Sequence, residues 1–374
     1  MNHFKLFLFC FLSFLGFSPA KATSPVATRL NPHSALPAFY EKSSIELIQD
    51  YQHSLLEGCH PNKKLIFNAF LQQKPPREAL ITISACSNVL DPKSRDVAMF
   101  LTSLAQPLAF KSSCRQEFFP YTQKTANPKE LLVTLNFADG HLFGYYKTGL
   151  LAQDELQVLE FPELALVREF FKHQNPGLLD ANQTSFIIHN TQRFCSLNLK
   201  KSNLYGNNFH KAKTTDVLHA MHHPSPPQTA TILPIVAPNA CRQPIYTSQT
   251  IQLFLKNLVV GFAHAARFAK RIGKESIAIH TGKLGTGAFG NNTIVSVFLQ
   301  LIAAQAVAGT LDKNTFSLTF YHTDAEILTA ATSLFNEFQT QLKHKPSYSV
   351  ETVTDVILQL CAKYNLTPHS GTGE

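Results

Sequence analysis

Two clusters in the 374-residue sequence carry residue types and spacings that could do chemistry. The first is Thr281-Gly282-Lys283-Leu284-Gly285-Thr286-Gly287-Ala288-Phe289-Gly290. Four glycines within these residues let the backbone turn tightly and approach a ligand, and a helix beginning just beyond would offer unpaired N–H groups to an anion. The segment is not a Walker A loop, because no Gly-Lys-Ser/Thr follows, and it is not a GxGxxG dinucleotide fingerprint. A tight strand-to-helix turn that binds nothing would have the same composition. The second cluster is Gln153-Asp154-Glu155. Adjacent carboxylates can divide glycoside chemistry, one acting as acid or base while the other holds sugar hydroxyls. Acidic pairs also gather at helix starts simply because they complement the helix dipole.

Both clusters need elements to position them. Leu131 to Phe137 is a short apolar run bounded by Pro128 and by Asp139-Gly140, which predicts a buried strand just ahead of the acidic pair. Gln153 onward reads as a helical run through Glu163 and Phe170. Ser276 to His280 predicts the strand that enters the glycine-rich loop, and Thr293 to Ala308 the helix that leaves it. Further strands are expected at 186–188, 232–236 and 316–320, with helices at 250–271, 324–341 and 350–364. Residues 200–230, rich in His, Lys, Asn and Pro, read as a long surface loop. Strands alternating with helices indicate an α/β fold with a sheet covered on both faces.

Upstream, residues 39–115 look largely helical. Ser43-Ser44 is a plausible N-cap before Ile45, Leu47, Ile48, Tyr51 and Leu55 at helical spacing, residues 64–72 form another amphipathic piece, and a further helix is expected to begin at 79–84. The first residues have a different character. Lys5, the apolar stretch from Leu6 to Phe17, and Ala20-Lys21-Ala22 have the layout of a cleavable export signal. The apolar stretch falls short of the roughly 20 residues a permanent membrane helix needs. The expectation is therefore a protein exported to the periplasm or secreted, without stable membrane association once residues 1–22 are removed.

The formal charge of +8 becomes +6 when Lys5 and Lys21 leave with that segment, a balance that suits an anionic ligand. Seven cysteines become six when Cys10 leaves with the same segment: Cys59, Cys86, Cys114, Cys195, Cys241 and Cys361. None is spaced as CxxC, so a zinc knuckle is not expected, and one or two disulfides are. His210, His219, His222 and His223 lie near one another but lack ligand-spaced acidic or thiol partners apart from Asp216, and we read them as solvated loop residues rather than a metal site. Lys200-Lys201, Lys211 and Lys213 are not interleaved with aromatics, which argues against a nucleic-acid platform. No cofactor is implied.

Taken together, the clusters carry a resemblance. Thr281 to Asn292 resembles the second diphosphate-binding loop of poly(ADP-ribose) glycohydrolases, T-G-N-W-G-C-G-A-F-G-G-D. Asn136-Phe137-Ala138-Asp139, followed by Phe143-Gly144-Tyr145 and Gln153-Asp154-Glu155, resembles that family's D-F-A-N…G-G-G…Q-E-E block. Phe161-Pro162-Glu163-Leu164 is similar to its N-P-E-L, Ile235 to Ala240 to its I-V-A-I-D-A strand, and Val353 to Tyr364 to its last helix. The pieces occur in family order across about residues 115–365.

The resemblance implies a macrodomain-like mixed β-sheet flanked by helices on both faces over residues 116–374. An extended leader and helical accessory region would precede it over 23–115. It implies an ADP-ribosyl glycohydrolase cleaving the bond at the distal ribose of ADP-ribosylated protein, or of an ADP-ribose polymer or derivative. Glu155 stands where the family has its catalytic acid, and Asp154 where it has a Glu that holds ribose hydroxyls. Asn136 and Asp139 would serve the ribose, with the two side-chain types exchanged relative to the family. Gln153, Gly144, Gly282, Gly285, Thr286, Gly287, Ala288, Phe289 and Gly290 would complete the ligand site. Phe143 and Tyr145 replace glycines, so a non-catalytic ADP-ribose-binding macrodomain, or a degenerate one serving as an interaction scaffold, remains the alternative. ADP-ribose chemistry joined to an export signal suits an effector delivered to a host.

Overall fold

The computed structural model describes residues 37–73, 80–88, 94–119, 121, 127–199, 203–241, 243–312 and 315–371. The expected export signal and the pairs Pro75-Pro76 and Lys200-Lys201 lie outside them. The described residues build an eight-stranded sheet. Its strands are β1 (Ala38–Ser43), β2 (Leu80–Ser87), β3 (Lys111–Arg115), β4 (Glu130–Ala138), β5 (Thr184–Arg193), β8 (Gln228–Val236), β9 (Ser276–Thr281) and β10 (Phe316–Tyr321). A separate two-stranded ribbon pairs β6 (Ser196–Leu197) with β7 (Met221–His222).

The strand order is β1-β2-β5-β8-β4-β9-β10-β3. Pairings on the β1 side, through β5–β8, are antiparallel. From β8 through β4, β9, β10 and β3 they are parallel. The parallel half therefore delivers the carboxyl ends of β8, β4 and β9 to one edge, the place where open α/β sheets bind ligands.

Helices cover both faces because the central strands are apolar on both sides. On one face α3 (Arg95–Leu104), α8 (Ser248–Arg271), α9 (Thr293–Ala308), α10 (Ala325–Lys343) and α11 (Val350–Lys363) bury Leu131, Val133, Leu135, Ile277 and Ile279. On the other, α1 (Ser44–Leu56), α2 (Pro61–Gln72), α4 (Gln153–Glu160) and α5 (Glu163–Gln174) pack over Ile81, Ile83, Phe186, Ile188 and Ile232. The alternation of Leu131, Val133 and Leu135 with Leu132, Thr134 and Asn136 follows from the two-residue strand repeat. It is what turns Asn136 toward α4.

Several sequence expectations change here. The helix expected from 79–84 is strand β2, which carries the β-branched run Ile81-Thr82-Ile83 and is buried along most of its length. With β1 and β3, it brings three strands from the expected helical accessory region into the sheet, and the described residues form one compact unit. The run from Gln153 through Phe170 is two helices, broken at Phe161-Pro162 where the proline lacks an N–H. The 200–230 stretch contains α6 (Asn208–Lys211), α7 (Thr214–Ala220) and β7, and the two helices are anchored by buried Phe209 and Val217. All six described cysteines are free; the expected bridges are absent, and Cys86, Cys195 and Cys361 are buried as small apolar residues.

Candidate active site

The site grows from the end of β4. Asn136 is fully buried on the α4 side, and its Nδ2 donates to Asp154 Oδ1 at 2.9 Å. Phe137 N donates to Gln153 Oε1 at 2.7 Å, and Gln153 Nε2 reaches back to Leu135 O at 3.4 Å. The Gln153 amide is thus engaged in stitching the start of α4 to the strand. Ala152 caps the helix without a side-chain acceptor, and its N–H instead donates to Glu155 Oε2 at 2.9 Å, the reciprocal half of a capping box. The acidic pair is therefore held at a helix N-terminus, where unpaired N–H groups and the helix dipole favour negative charge.

Burial opposes that charge. Asp154 and Glu155 retain only 6% and 3% of their exposure, far below what isolated carboxylates tolerate. Both carboxyls are raised above their ordinary values, chiefly by burial. At Asp154 the Glu155 charge adds to the rise, while the Asn136 hydrogen bond opposes it. At Glu155 the Lys63 charge and the backbone N–H groups of Glu155 and Ala152 oppose the rise. Two neighbouring buried carboxyls cannot both ionise cheaply, so near neutral pH the pair retains a proton. Asn136 Oδ1 and Asp154 Oδ2 are buried without a partner, two acceptors in need of donors. His280 lies on the same sheet face, paired in register with Thr134. Its Nδ1 is also unpartnered, and burial pulls its pKa down to about 4, which leaves a neutral ring.

The loop after β4 turns at Asp139, whose Oδ1 accepts from His141 N at 3.0 Å. Gly144 N donates to His141 O at 2.7 Å, and a Cβ on Gly144 would come within 3.7 Å of Asp139 Oδ1. Phe143 adopts a left-handed φ of 52° and is fully buried among the apolar residues of the face covered by α1, α2, α4 and α5. Its ring therefore does not stand in the site, as the loss of a family glycine had allowed. Tyr145 is 48% exposed and presents the one bulky side chain of this tripeptide to solvent.

The glycine-rich loop leaves β9 beside this. A Cβ on Gly282 would lie 3.3 Å from the Phe137 ring and 2.8 Å from Tyr321 O, so the loop passes directly over the ends of β4 and β10. Gly285 has φ 71°, and a Cβ there would meet Ala237 Cβ at 2.3 Å, at the end of β8. Asn291 fastens the loop: its Nδ2 donates to Pro238 O at 2.8 Å and Gly285 O at 3.1 Å. Thr286 Oγ1 is used internally, donating to Lys283 O at 2.9 Å. Gly287 is partly buried and Ala288 is exposed, while Phe289 packs partly into the large core and Ala240 N donates to its carbonyl at 2.8 Å. Gly290 faces the C-terminal tail, where His369 N donates to its carbonyl at 2.8 Å. Asn292 caps α9 through Ile294 N and Val295 N.

The structure thus brings Asn136, Asp139, Gly144, Asp154 and Glu155 together at one strand end, with the loop 282–290 on the adjoining strand. Sequence reasoning missed two residues that feel the pair's charge. Lys63 comes from α2, and Tyr205 from a segment bridged to Leu151 through Gly206; the Glu155 charge, after burial, helps raise the Tyr205 hydroxyl. Both lie remote in sequence, and no local pattern marks them. Among the described residues, no three His, Cys, Asp or Glu side chains form a metal site.

Solved structures resemble the chain weakly. The poly(ADP-ribose) glycohydrolase from Thermomonospora curvata shares 15% identity over 78% of this chain and 97% of its own, with a TM-score of 0.39. The enzyme of the same name from Deinococcus radiodurans, solved with ADP-ribose, shares 14% identity over 63% of this chain and 88% of its own, also at 0.39. No curated protein matches. Residues 115–322, more than half of the chain, match the family described as poly (ADP-ribose) glycohydrolase (PARG), Macro domain fold. The match opens at the end of β3 and closes just past β10, enclosing both loops and the acidic pair, and the chain belongs to that family.

Proposed function

We propose that this protein hydrolyses the glycosidic bond at the distal ribose of ADP-ribosylated protein, with polymer ends or small ADP-ribose derivatives as further substrates. The observation that carries this reading is the buried Asp154–Glu155 pair. It is tied to the end of β4 by Asn136 and leaves Asn136 Oδ1 and Asp154 Oδ2 without donors. Ribose hydroxyls are donors of the right kind for those two acceptors.

In this reading Glu155, whose carboxyl burial raises, gives its proton to the leaving oxygen as the glycosidic C–O bond breaks. The resulting carboxylate then takes a proton from the water that attacks the oxocarbenium-like carbon. Asp154 and Asn136 hold ribose hydroxyls, and Asp139 lies at the rim of the same turn. The diphosphate would lie along backbone N–H groups of the 282–290 loop and the start of α9. Burial of Phe143 in the core removes one obstacle to ligand entry. Export, inferred from residues 1–22, would place this chemistry outside the cell that makes the protein.

Titration calorimetry with ADP-ribose tests the site directly. A single saturable site is expected, weakened by Asn136→Ala. No heat of binding at millimolar ligand would remove the proposal.

A further inference from the structure

The candidate site contains a buried cation that the family match does not reach. Lys63 lies on α2, outside residues 115–322. It is fully buried, a state lysine almost never adopts without a partner. Its Nζ donates to Tyr145 O at 3.2 Å, in the Phe143-Gly144-Tyr145 turn. The same helix end is fastened to that turn at a second point, where His60 N donates to Lys147 O at 2.8 Å. Lys147 in turn donates to Ser54 O at 2.6 Å. The α2 helix also packs against α4, which carries the acidic pair. One hydrogen bond to a carbonyl does not compensate a buried ammonium; a nearby anion does.

We infer that Lys63 is a positioning residue for the Asp154–Glu155 pair. Its ammonium, anchored on the Tyr145 carbonyl, is the counter-charge that lets one carboxylate stay ionised while the other keeps its proton. This inference rests on the glycohydrolase reading for its purpose, because the chemistry needs both an acid and an anion beside the developing oxocarbenium. The burial of Lys63, its bond to Tyr145 O and the packing of α2 against α4 do not depend on that reading.

The surroundings are consistent with that role. Burial pulls Lys63 down to about 8, while the charges of Glu155, Cys59 and Asp154 work against the fall. The groups around the pair are Lys63 from α2, Asn136 from β4, Asp139 from the following turn and Tyr205 from the segment near Gly206. Among them Lys63 is the one cation. Cys59, one turn before Lys63, is held as a thiol by burial, so it does not compete as the anion at neutral pH.

The test is a carboxyl titration by NMR on protein labelled at Asp and Glu side chains, comparing wild type, Lys63→Gln and Lys63→Arg. Gln keeps a donor for Tyr145 O and removes the charge; Arg keeps the charge. The pair's midpoint should rise by about one pH unit in Lys63→Gln and return toward the wild type in Lys63→Arg. The pH–rate profile should move upward with it, whereas a lysine that merely braces the turn would lower turnover without moving the profile. An unchanged midpoint overturns the inference.

If Lys63→Gln does not fold, the reciprocal measurement decides. The Lys63 side-chain titration should fall by about one unit in Glu155→Gln, and an unchanged midpoint overturns the inference equally. Coupled titrations in a protein that releases no ADP-ribose would support the charge pairing and contradict the glycohydrolase reading.

Discussion

Asn136 Nδ2 and Asp154 Oδ1 stand 2.9 Å apart in a buried contact, and the Asn136 amide oxygen and the second Asp154 carboxylate oxygen are left without a partner. The bond does two things. It fixes the carboxylate against the strand end, and it favours the ionised form of a group that burial pushes the other way. Asn136→Ala should therefore weaken ADP-ribose binding by about 1.5–3 kcal/mol, roughly ten- to a hundredfold in Kd, and raise the Asp154 carboxyl further. Calorimetry across a pH series reads both effects. Unaltered affinity would mean that the Asn136 amide oxygen does not meet the ligand.

Glu163 gives a stability prediction away from the site. Its carboxylate accepts from Ser44 Oγ and from Gln192 N, yet burial raises it from 4.5 to about 7. Because the folded-state pKa is the higher one, the native protein binds more protons than the unfolded chain between those values. Stability from this group is then greatest below about pH 4.5 and declines as pH rises toward 7. Glu163→Gln, whose amide can still accept from Gln192 N and donate to Ser44, should stabilise the protein at pH 8 by up to about 3 kcal/mol and change little at pH 5. Denaturant melts at the two pH values check this.

Gly285→Ala should be costly. The backbone there is left-handed, and the added methyl would overlap Ala237 Cβ. A loss of about 2 kcal/mol or more, together with weaker ADP-ribose binding as the loop shifts off the end of β8, is expected from thermal melts and calorimetry.

Phe143 and Tyr145 replace family glycines but occupy opposite environments. Phe143→Gly removes a fully buried ring and should cost about 3–5 kcal/mol, offset in part by relief of its left-handed backbone. Tyr145→Ala removes a half-exposed ring and should change stability by less than about 0.5 kcal/mol. Paired denaturant melts separate the two.

Much of the parallel half of the sheet was legible from sequence. Leu131 to Phe137, Ser276 to His280 and Phe316 to Phe320 are short apolar runs between turn residues, and each is a strand. Thr293 to Ala308 is a helix with the boundaries expected. The antiparallel edge was not legible. Leu80–Ser87 is short and apolar enough to suit a buried helix as well as a strand, and only its pairing with β1 and β5 decides. Within the site, the Asp154–Glu155 pair and the glycine loop carry local signatures. Lys63 carries none, because a lysine on an amphipathic helix normally reads as solvated, and its burial depends on a turn more than eighty positions later.

The central claim is that Glu155 supplies the proton for glycosidic cleavage, and release of ADP-ribose from ADP-ribosylated protein tests it most directly. Wild type and Glu155→Gln should be compared in one assay, since Gln can still accept from Ala152 N and keep the helix start intact. The account predicts turnover by the wild type and a loss of about a hundredfold or more in Glu155→Gln, with ADP-ribose affinity retained. Equal release by both proteins would contradict it.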